Sequence, residues 1–502
     1  MYDVVIIGSG LGGLECGVML SREGYRVLVL EKNPVIGGCL QTFRRHGRTL
    51  DTGIHYIGGL DNGQILNLYF KYLGVMPALD VVRMDTDAFD TVTLGDREYG
   101  IGMGYDRFAD NLKGYFPAEA ADIDRFCSLL RKVGGTMSVE GLRRGLISDD
   151  AMQYMERSAF EAIDGMFTNP ILKNVLTGTS LLYAGIKGKT SLYHYGMINH
   201  SFIESSYRFV GGSQQLADAL SAQIRSNGGE VLTGTEVTAI KLQGDHVSGV
   251  EINGGDVAGG TFIEATNVIS GIHPATTFDL VEKTSKIKKA YMTRLHTLEN
   301  SCGVVTVYLL LKPGTVPYIN RNYYIHSGDT CDTWQTEYDT ARDTPRAVLF
   351  NMQATGHGQQ FADVASILCP MNFDTFARWE STTVERRGAE YLDLKSHLTD
   401  RIVDFTLRRS PELREVIEHI YTTSPLTWRD YTATPQGSAY GIVKNCRSPF
   451  TTLIPINTRF ENLLLTGQNI NVHGALGVTV TAALTCSKLL GAEYIAKKIG
   501  NA

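Results

Sequence analysis

The sequence predicts an α/β fold built around a parallel β-sheet. Three observations lead to this prediction: an apolar run at the start of the chain, a glycine-rich turn directly after it, and a second apolar run about twenty residues later. Glycine accounts for 53 of the 502 residues, above the average of about 7%, and it follows no regular repeat. Glycine is therefore needed at particular backbone positions.

The first elements form a βαβ unit of about thirty residues. Residues 4–7 are β-branched and apolar, which suits a strand buried on both faces of a parallel sheet. A helix follows the glycine-rich turn and ends before Gly24, and residues 27–30 form the second strand. This order predicts a Rossmann-like unit with the glycine-rich turn at the start of its helix.

The glycine-rich turn matches the G-x-G-x-x-G pattern at Gly8, Gly10 and Gly13. The first glycine permits the tight turn, the second lets the backbone approach a pyrophosphate, and the third packs helix against strand. Glu31 follows 18 residues after Gly13, at a strand end where a carboxylate binds the hydroxyls of an adenosine ribose. Since a carboxylate repels a 2′-phosphate, the pattern predicts FAD or NAD rather than NADP.

A second glycine pair favours FAD. Glu31 and Lys32 lead into Gly37 and Gly38, which allow another close approach of backbone to an extended ligand. The pair resembles the extended fingerprint of two-dinucleotide-domain flavoproteins, although an ordinary turn is the alternative.

Longer motifs then resemble one family, the flavin-dependent carotenoid and retinoid oxidoreductases, which include phytoene desaturases, carotene isomerases and, most similar, the retinol saturase type. The resemblance begins in the segment 37–59, continues from Asn199 to Val237, and ends in the segments 437–441 and 465–477. The matching residues of the first segment are Gly37, Gly38, Cys39, Thr42, Phe43, Asp51, Thr52, Gly53, Ile54, His55, Tyr56, Ile57 and Gly58.

The resemblance implies a two-dinucleotide-binding-domain flavoprotein fold, with a Rossmann-like FAD domain and a mixed-sheet and helical substrate domain. We expect a discontinuous FAD domain of residues 1–60, 205–295 and 425–502, and a substrate domain of residues 61–204 and 296–424. The FAD-binding residues implied are Gly8, Gly10, Gly13, Glu31, Lys32, Gly37, Gly38, Thr42, His55, Val237, Gly467, Gln468, Leu476, Gly477 and Val478. Val237 would contact the adenine through its backbone, and a helix beginning at Val478 would point at the flavin ring.

Three departures from the family pattern concern the substrate side. Phe209 stands where these enzymes commonly have proline, Asn469 replaces an acidic residue, and residues 442–444 read Ile-Val-Lys where retinol saturase has an acid and a histidine. The resemblance therefore supports the family's fold and cofactor for this protein, whereas it gives little support for retinol as the substrate.

The implied function is an FAD-dependent oxidoreductase that saturates, desaturates or isomerises a C=C bond of a hydrophobic polyene such as a carotenoid or retinoid. Flavin supplies the redox step, and a positioned side chain supplies or removes a proton. His55, His200, Tyr440 and His473 are the candidate proton donors, the alternative for each histidine being a hydrogen-bonded structural role. No second G-x-G-x-x-G is visible, so the electrons would come either from NAD(P)H that visits transiently or from another source.

Composition limits the partners. The net charge of −6 without charge blocks argues against nucleic acid, and no histidine or cysteine spacing indicates a metal site. The chain begins without a signal-like run, so a cytoplasmic location is expected, with peripheral membrane contact through an apolar helix over residues 171–186.

Two other functions stay open at this point. A flavin amine oxidase has the same fold, but Cys39 stands where amine oxidases usually have arginine. A binding protein of the GDP-dissociation-inhibitor type, which holds prenylated proteins without flavin, is disfavoured because the glycines at 8, 10, 13, 37, 38, 467 and 477 are intact.

Overall fold

The computed structural model describes residues 1–144, 149–254, 257–328 and 330–502. The strands are β1 (Tyr2–Ile7), β2 (Val27–Leu30), β3 (Thr42–Arg45), β4 (Arg48–Asp51), β5 (Ile57–Gly58), β6 (Val81–Arg83), β7 (Asp90–Leu94), β8 (Arg97–Ile101), β9 (Ser206–Phe209), β10 (Glu230–Leu232), β11 (Thr235–Gln243), β12 (His246–Gly254), β13 (Val257–Ser270), β14 (Gly303–Leu311), β15 (Asn322–His326), β16 (Ala347–Met352), β17 (Val364–Met371), β18 (Ile417–Thr423) and β19 (Leu463–Leu465).

The helices lie between these strands and at the C-terminal end. They are α1 (Leu11–Arg22), α2 (Ile65–Tyr72), α3 (Tyr105–Tyr115), α4 (Ala120–Gly135), α5 (Val139–Arg144), α6 (Asp149–Met155), α7 (Ala159–Met166), α8 (Pro170–Thr177), α9 (Leu192–Glu204), α10 (Gln214–Ser226), α11 (Pro274–Asp279), α12 (Lys289–Thr297), α13 (Ala389–Leu407), α14 (Pro425–Thr432), α15 (Pro449–Thr452), α16 (Gly474–Leu490) and α17 (Ala492–Gly500).

The first sheet is the parallel sheet that the sequence predicts. Its strands run β10, β2, β1, β13 and β19 in parallel, and β12 and β11 extend it as an antiparallel ribbon. The long strand β13 joins the two parts, because residues 257–264 pair with β12 and residues 265–270 pair with β1. β1 and β2 are buried along residues 4–7 and 27–30, as expected for parallel strands covered on both faces.

The second sheet is mixed and runs in the order β18, β14, β17, β16, β15, β7, β8. Its strands are antiparallel except for β15 and β7, whose parallel register places Asn322 beside Asp90. Chain segments that are far apart in sequence therefore meet in one sheet. A small antiparallel sheet has the strand order β5, β9, β6.

Most of the predicted elements are confirmed. The strands over residues 4–7 and 27–30 are present, and α1 between them ends at Arg22, before Gly24. The helix expected to begin at Val478 was placed too late, since α16 begins at Gly474. Leu476, Gly477 and Val478 therefore lie in its first turns.

The prediction of one apolar helix over residues 171–186 was wrong. α8 ends at Thr177, and a short 3₁₀ helix over Ser180–Tyr183 follows and ends at Ala184, which has a φ of 50°. The apolar side chains of this segment pack inside the protein, namely Leu172, Val175, Leu176, Leu181 and Tyr183. These buried side chains leave no continuous apolar face for a membrane.

The contact between α1 and β1 depends on the missing side chain of Gly13. A Cβ atom built there would lie 2.2 Å from the carbonyl oxygen of Gly8 and 3.4 Å from Cγ2 of Ile6. No real Cβ tolerates such a distance to a backbone oxygen, so the helix would have to move away from the sheet.

We predict that Gly13→Ala destabilises the protein by about 1 to 3 kcal/mol, the usual cost of overpacking a tight contact. Urea unfolding without added cofactor measures this loss. Gly114→Ala in α3 is the control, because a Cβ there meets nothing within 4 Å and alanine favours a helix. Equal stability of Gly13→Ala and the wild type would contradict the packing described here.

Candidate functional site

The turn between β1 and α1 has the geometry expected for a phosphate-binding loop. Gly8 has a φ of 91°, which favours glycine, and Gly10 precedes the first helical residue without a side-chain cap. A Cβ atom at Gly10 would meet nothing within 4 Å, so the backbone here faces open space. The N-terminus of α1 thus offers its partial positive charge to a ligand.

Glu31 lies directly beside this loop and is 6% exposed. Its Oε2 accepts hydrogen bonds from the backbone N–H and the hydroxyl of Ser9, at 3.0 and 2.6 Å, and its Oε1 accepts one from the N–H of Asn33 at 2.9 Å. These bonds fix the carboxylate at the end of β2. It retains acceptor capacity there for the hydroxyls of a ribose.

The second glycine pair packs against the first loop. Gly37 and Gly38 have φ values of 114° and 56°, and the N–H of Gly37 donates to the carbonyl oxygen of Ser9 at 3.0 Å. A Cβ at Gly38 would lie 3.3 Å from the Cα of Gly10. Two loops that lack side chains therefore meet at one place.

The C-terminal loop completes the same place. A Cβ built at Gly12 would lie 3.2 Å from both N and Cα of Gly467, and Gly467 has a φ of 94°. α16 begins at Gly474 with no side-chain cap, and Gly477 packs so closely that a Cβ there would lie 2.3 Å from the carbonyl oxygen of Val472. Both ends of the chain therefore supply helix N-termini to one region.

The other residues expected to bind the cofactor are distributed around these loops. Val237 is buried in β11, Thr42 begins β3, and Gln468 is half-buried next to Gly467. Lys32 is exposed, and its Nζ lies 3.5 Å from the carbonyl oxygen of Asp430. Their roles in binding stay predictions.

A cavity of about 880 Å³, measured with its opening to solvent, extends from the start of α16 to the second sheet. Most of its lining residues are apolar. They are Gly53, Ile54, His55, Tyr56, Ile57, Gly58, Leu66, Met137, Leu182, Met197, Ile198, Ser201, Phe202, Leu349, Leu368, Tyr440, Val472, His473, Gly474, Ala475, Leu476 and Gly477. A pocket with this mostly apolar lining suits an apolar ligand.

Two histidines with unpartnered nitrogens lie on the wall of this cavity. Nε2 of His55 and Nε2 of His473 are buried and have no hydrogen-bond partner among the residues that the structure describes. Burial lowers the pKa of each imidazole to about 4, helped by nearby Arg208 for His55 and by nearby Lys444 for His473. Both rings are neutral at pH 7, so they suit accepting hydrogen bonds or protons better than donating protons.

The remaining two proton-donor candidates are already engaged. The hydroxyl of Tyr440 donates to the carbonyl oxygen of Leu181, although its ring lines the cavity. His200 is not among the residues lining the cavity. Its Nδ1 pairs with the hydroxyl of Tyr105 at 2.8 Å, and its Nε2 lies 3.5 Å from a carboxylate oxygen of Glu204.

Sequence reasoning missed a polar network behind the cavity wall. The hydroxyl of Tyr56 donates to Oδ2 of Asp90 at 3.0 Å and lies 2.7 Å from the hydroxyl of Tyr324. Asn322 and Arg208 join the same network. The sequence did not indicate which residue would pair with Asp90, since Asp90 and Tyr56 are 34 residues apart. A signal was present in the charged residue at the start of the β-branched run Thr91-Val92-Thr93.

The described residues fit FAD at this site. Gly10 faces open space, two helices of 12 and 17 residues begin without side-chain caps, and buried imidazole nitrogens lack partners at the cavity. Gly10, Gly12 and Glu31 would hold the nucleotide, and the start of α16 would meet the ring. Within the described part of the chain, no group of His, Cys, Asp or Glu could hold a metal ion, and no helix combines the length and apolarity needed to cross a membrane.

Comparison with known proteins agrees with this geometry. A family model described as flavin-containing amine oxidoreductase matches residues 11–414. An all-trans-retinol 13,14-reductase of Danio rerio is 27% identical over 99% of this chain and 88% of its own length. A chloroplastic prolycopene isomerase of an Oncidium hybrid cultivar is 26% identical over 60% of this chain and 55% of its own length.

Solved structures share the fold. An oxidoreductase from Methanosarcina mazei superposes with a TM-score of 0.64 at 15% identity, over 95% of this chain and 98% of its own. These findings confirm the resemblance to flavin-dependent carotenoid and retinoid oxidoreductases and the two-domain α/β flavoprotein fold. The domain boundaries and the individual binding residues stay predictions.

We predict that Gly10→Ala weakens FAD binding at least about tenfold, because the new methyl group would occupy the open space beside the phosphate-binding loop. The unfolding free energy without cofactor should stay within about 0.5 kcal/mol of the wild type, since Gly10 has a φ of −64°. Fluorescence titration with FAD measures the first quantity and urea unfolding the second. Unchanged affinity would remove Gly10 from the binding loop.

We also predict that Glu31→Gln lowers FAD affinity by roughly 10- to 100-fold, the value of hydrogen bonds to a charged acceptor. Glu230→Gln on the neighbouring strand β10 is the control, because Glu230 is exposed and bonds only to the hydroxyl of Tyr2 among the described contacts. Equal FAD dissociation constants for the two variants would show that the carboxylate does not contact the nucleotide.

Proposed function

This chain belongs to the family of flavin-containing amine oxidoreductases, and from that membership we propose that it uses FAD to saturate, desaturate or isomerise a C=C bond of a hydrophobic polyene such as a carotenoid or retinoid. One observation carries the proposal: an apolar cavity of about 880 Å³ begins at α16, where the flavin ring is expected, and continues to the second sheet. The retinol reductase and prolycopene isomerase relatives support the same class of substrate.

The protein's contribution is binding, orientation and exclusion of water. When bound, FAD supplies or accepts the two electrons as a hydride. Gly10 and Glu31 hold the nucleotide, and the N-terminal turn of α16 directs its partial positive charge at the ring. The apolar walls, among them Leu349 and Leu368 of the second sheet, hold the polyene and keep water out.

The cavity favours this function over amine oxidation. Its lining contains no Asp, Glu, Lys or Arg among the described residues. An ammonium group would lose its hydration there without gaining a carboxylate partner, which is costly. Cys39 after the glycine pair, in place of arginine, points the same way.

The proposal also includes a transient electron donor of the NAD(P)H type. The described residues contain one G-x-G-x-x-G turn, at residues 8–13, and FAD would occupy it, so a nicotinamide would have no such turn of its own. The hydrophobic substrate would reach the cavity from a membrane surface that the protein touches peripherally.

The direct test uses protein with its flavin reduced in the absence of oxygen. We expect a polyene to restore the absorbance of oxidised flavin if the protein saturates it, to reduce the oxidised flavin in a parallel sample if the protein desaturates it, or to be isomerised without a net change of the flavin. A matched set of primary amines should have no effect on either the reduced or the oxidised flavin. If only an amine changes the flavin, the protein is an amine oxidase. If no flavin can be bound at all, the binding-protein alternative holds.

Filling the cavity should separate substrate binding from cofactor binding. We predict that Leu368→Trp abolishes flavin reoxidation by polyenes and leaves the absorbance spectrum of bound FAD unchanged, because Leu368 belongs to the second sheet rather than to the glycine loops. Leu392→Trp on α13 is the control, since Leu392 is 58% exposed. Full activity of Leu368→Trp would place the polyene elsewhere.

A further inference from the structure

The hydrogen-bond network behind the cavity wall joins the cavity to a buried carboxyl group. Asp90 is 1% exposed, and its two oxygens have different partners: Oδ1 accepts from Nδ2 of Asn322 at 2.7 Å, and Oδ2 faces the hydroxyl of Tyr56 at 3.0 Å. Tyr56 continues to Tyr324, hydroxyl to hydroxyl, at 2.7 Å. Of these four residues, only Tyr56 lines the cavity.

Arg208 determines which oxygen of Asp90 can carry a proton. Its Nη2 donates to Oδ1 of Asn322 at 2.7 Å, and a guanidinium has no acceptor. The amide oxygen of Asn322 must therefore face Arg208, and the amide nitrogen must face Asp90. Tyr56 donates to Oδ2 when Asp90 is a carboxylate. Since Asn322 always donates to Oδ1, the proton of a neutral Asp90 sits on Oδ2, where the Tyr56 oxygen accepts it and the Tyr56 proton turns away from Asp90.

Burial favours the neutral form of Asp90, against the opposing effect of the nearby Arg208 cation. Arg208 is a buried cation near two buried carboxyl groups, Asp51 and Asp90. Asp51 accepts from the N–H and hydroxyl of Ser213 and from the amide of Gln353, whereas Asp90 accepts only from Asn322 and Tyr56 among its described contacts. Burial raises the pKa of Asp90 to about 7 and that of Asp51 to about 6.

Other titratable groups near this network are buried tyrosines and one neutral histidine. The groups that face Asp90, Tyr56, Tyr324 or Arg208 are Asp51, His55, Tyr183, Tyr318 and Tyr440. Burial raises the pKa of each of these tyrosines and lowers that of His55. The two carboxyl groups, Asp51 and Asp90, are therefore the groups here with a pKa near neutral, and Asp90 is the one that is hydrogen-bonded to Tyr56.

We propose that Tyr56 donates the proton that the polyene needs at the cavity wall, and that Asp90 replaces it. Tyr56 is the catalytic residue of this step, and Asn322 and Arg208 are positioning residues. The inference rests on the proposed function, because it names the proton source for that reaction.

The step balances in the direction of saturation. One carbon of the C=C bond receives two electrons and a hydrogen as hydride from the reduced flavin, and the neighbouring carbon receives a proton from the hydroxyl of Tyr56. The O–H bond of Asp90 then breaks and its proton moves to the Tyr56 oxygen, which leaves Asp90 as a carboxylate. Solvent returns a proton to Asp90 before the next turnover, and desaturation runs through the same positions in reverse.

The test compares Tyr56→Phe with Tyr308→Phe in protein whose flavin has been reduced. Tyr308 is the control, because it is also buried, its hydroxyl donates to the backbone carbonyl oxygen of Asp51 at 2.7 Å, and it is not among the residues that line the cavity. We expect Tyr56→Phe to slow flavin reoxidation by a polyene at least about 100-fold, and Tyr308→Phe to change it less than about threefold. Near-equal rates for the two variants would overturn the inference.

The pH profile separates donation by this network from a structural effect of Tyr56. In the wild type, the rate should fall as pH rises through about 7, where Asp90 loses its proton. In Asp90→Asn, the slow residual rate should no longer depend on pH in that range. A profile that persists in Asp90→Asn would overturn the role of Asp90. If no polyene reoxidises the reduced flavin, reduces the oxidised flavin or is isomerised by the wild type, the proposed function itself fails. An active wild type with unaffected variants overturns only the inference about Tyr56 and Asp90.

A second readout needs no cofactor. Infrared titration of the apoprotein should show a neutral carboxyl band that disappears as pH rises through about 7 and is absent in Asp90→Asn. Because the folded pKa lies above the unfolded value of 3.8, this group stabilises the fold at low pH and the benefit is lost between about pH 4 and 7. The melting temperature of the wild type should therefore fall more over this range than that of Asp90→Asn. If the melting temperatures of the two proteins depended on pH in the same way, and Asp90→Asn kept the carboxyl band, Asp90 would not be neutral.

Discussion

The structure depends on one close contact between the two ends of the chain. Gly12 at the start of α1 faces Gly467 in the C-terminal loop so closely that no side chain fits between them. One turn further along, Oε1 of the buried Glu15 accepts a hydrogen bond from the hydroxyl of Thr479 at 2.6 Å, which ties α1 to α16. The uncapped N-termini of two helices therefore open toward one ligand, and their partial charges add. A phosphate-linked cofactor that spans both loops would interact with both helix N-termini, whereas a ligand bound to one loop would interact with only one of them.

The same packing produces the electrostatics of the cavity. Its walls exclude water, and in such surroundings an imidazole loses its proton while a carboxyl group keeps one. His55 and His473 are consequently neutral acceptors, and Asp90 is the group with a transferable proton near pH 7. The chemistry of the site thus follows from burial as much as from residue type. A sequence motif that identifies a histidine cannot state in which direction its proton moves.

Local patterns predicted the nucleotide half of the protein. The strand over residues 4–7, the turn with Gly8, Gly10 and Gly13, and Glu31 lie within one βαβ unit, so their mutual positions follow from chain geometry. The cavity half could not be predicted in this way. Asp90 and Asn322 meet only because β7 and β15 pair, across 232 residues of chain. Apolar runs were also ambiguous, and residues 171–186 belong to the core, with Gly178 marking the end of α8.

The most direct test of this account is the difference in affinity between FAD and FMN for the protein freed of its cofactor. FMN has the flavin ring and one phosphate but lacks the adenosine that Glu31 and the loop around Gly10 are positioned to bind. We expect FMN to bind at least about 100-fold more weakly than FAD in an equilibrium titration, a difference of about 2.7 kcal/mol. Equal affinities, or no binding of either flavin, would contradict a single dinucleotide held between the two ends of the chain.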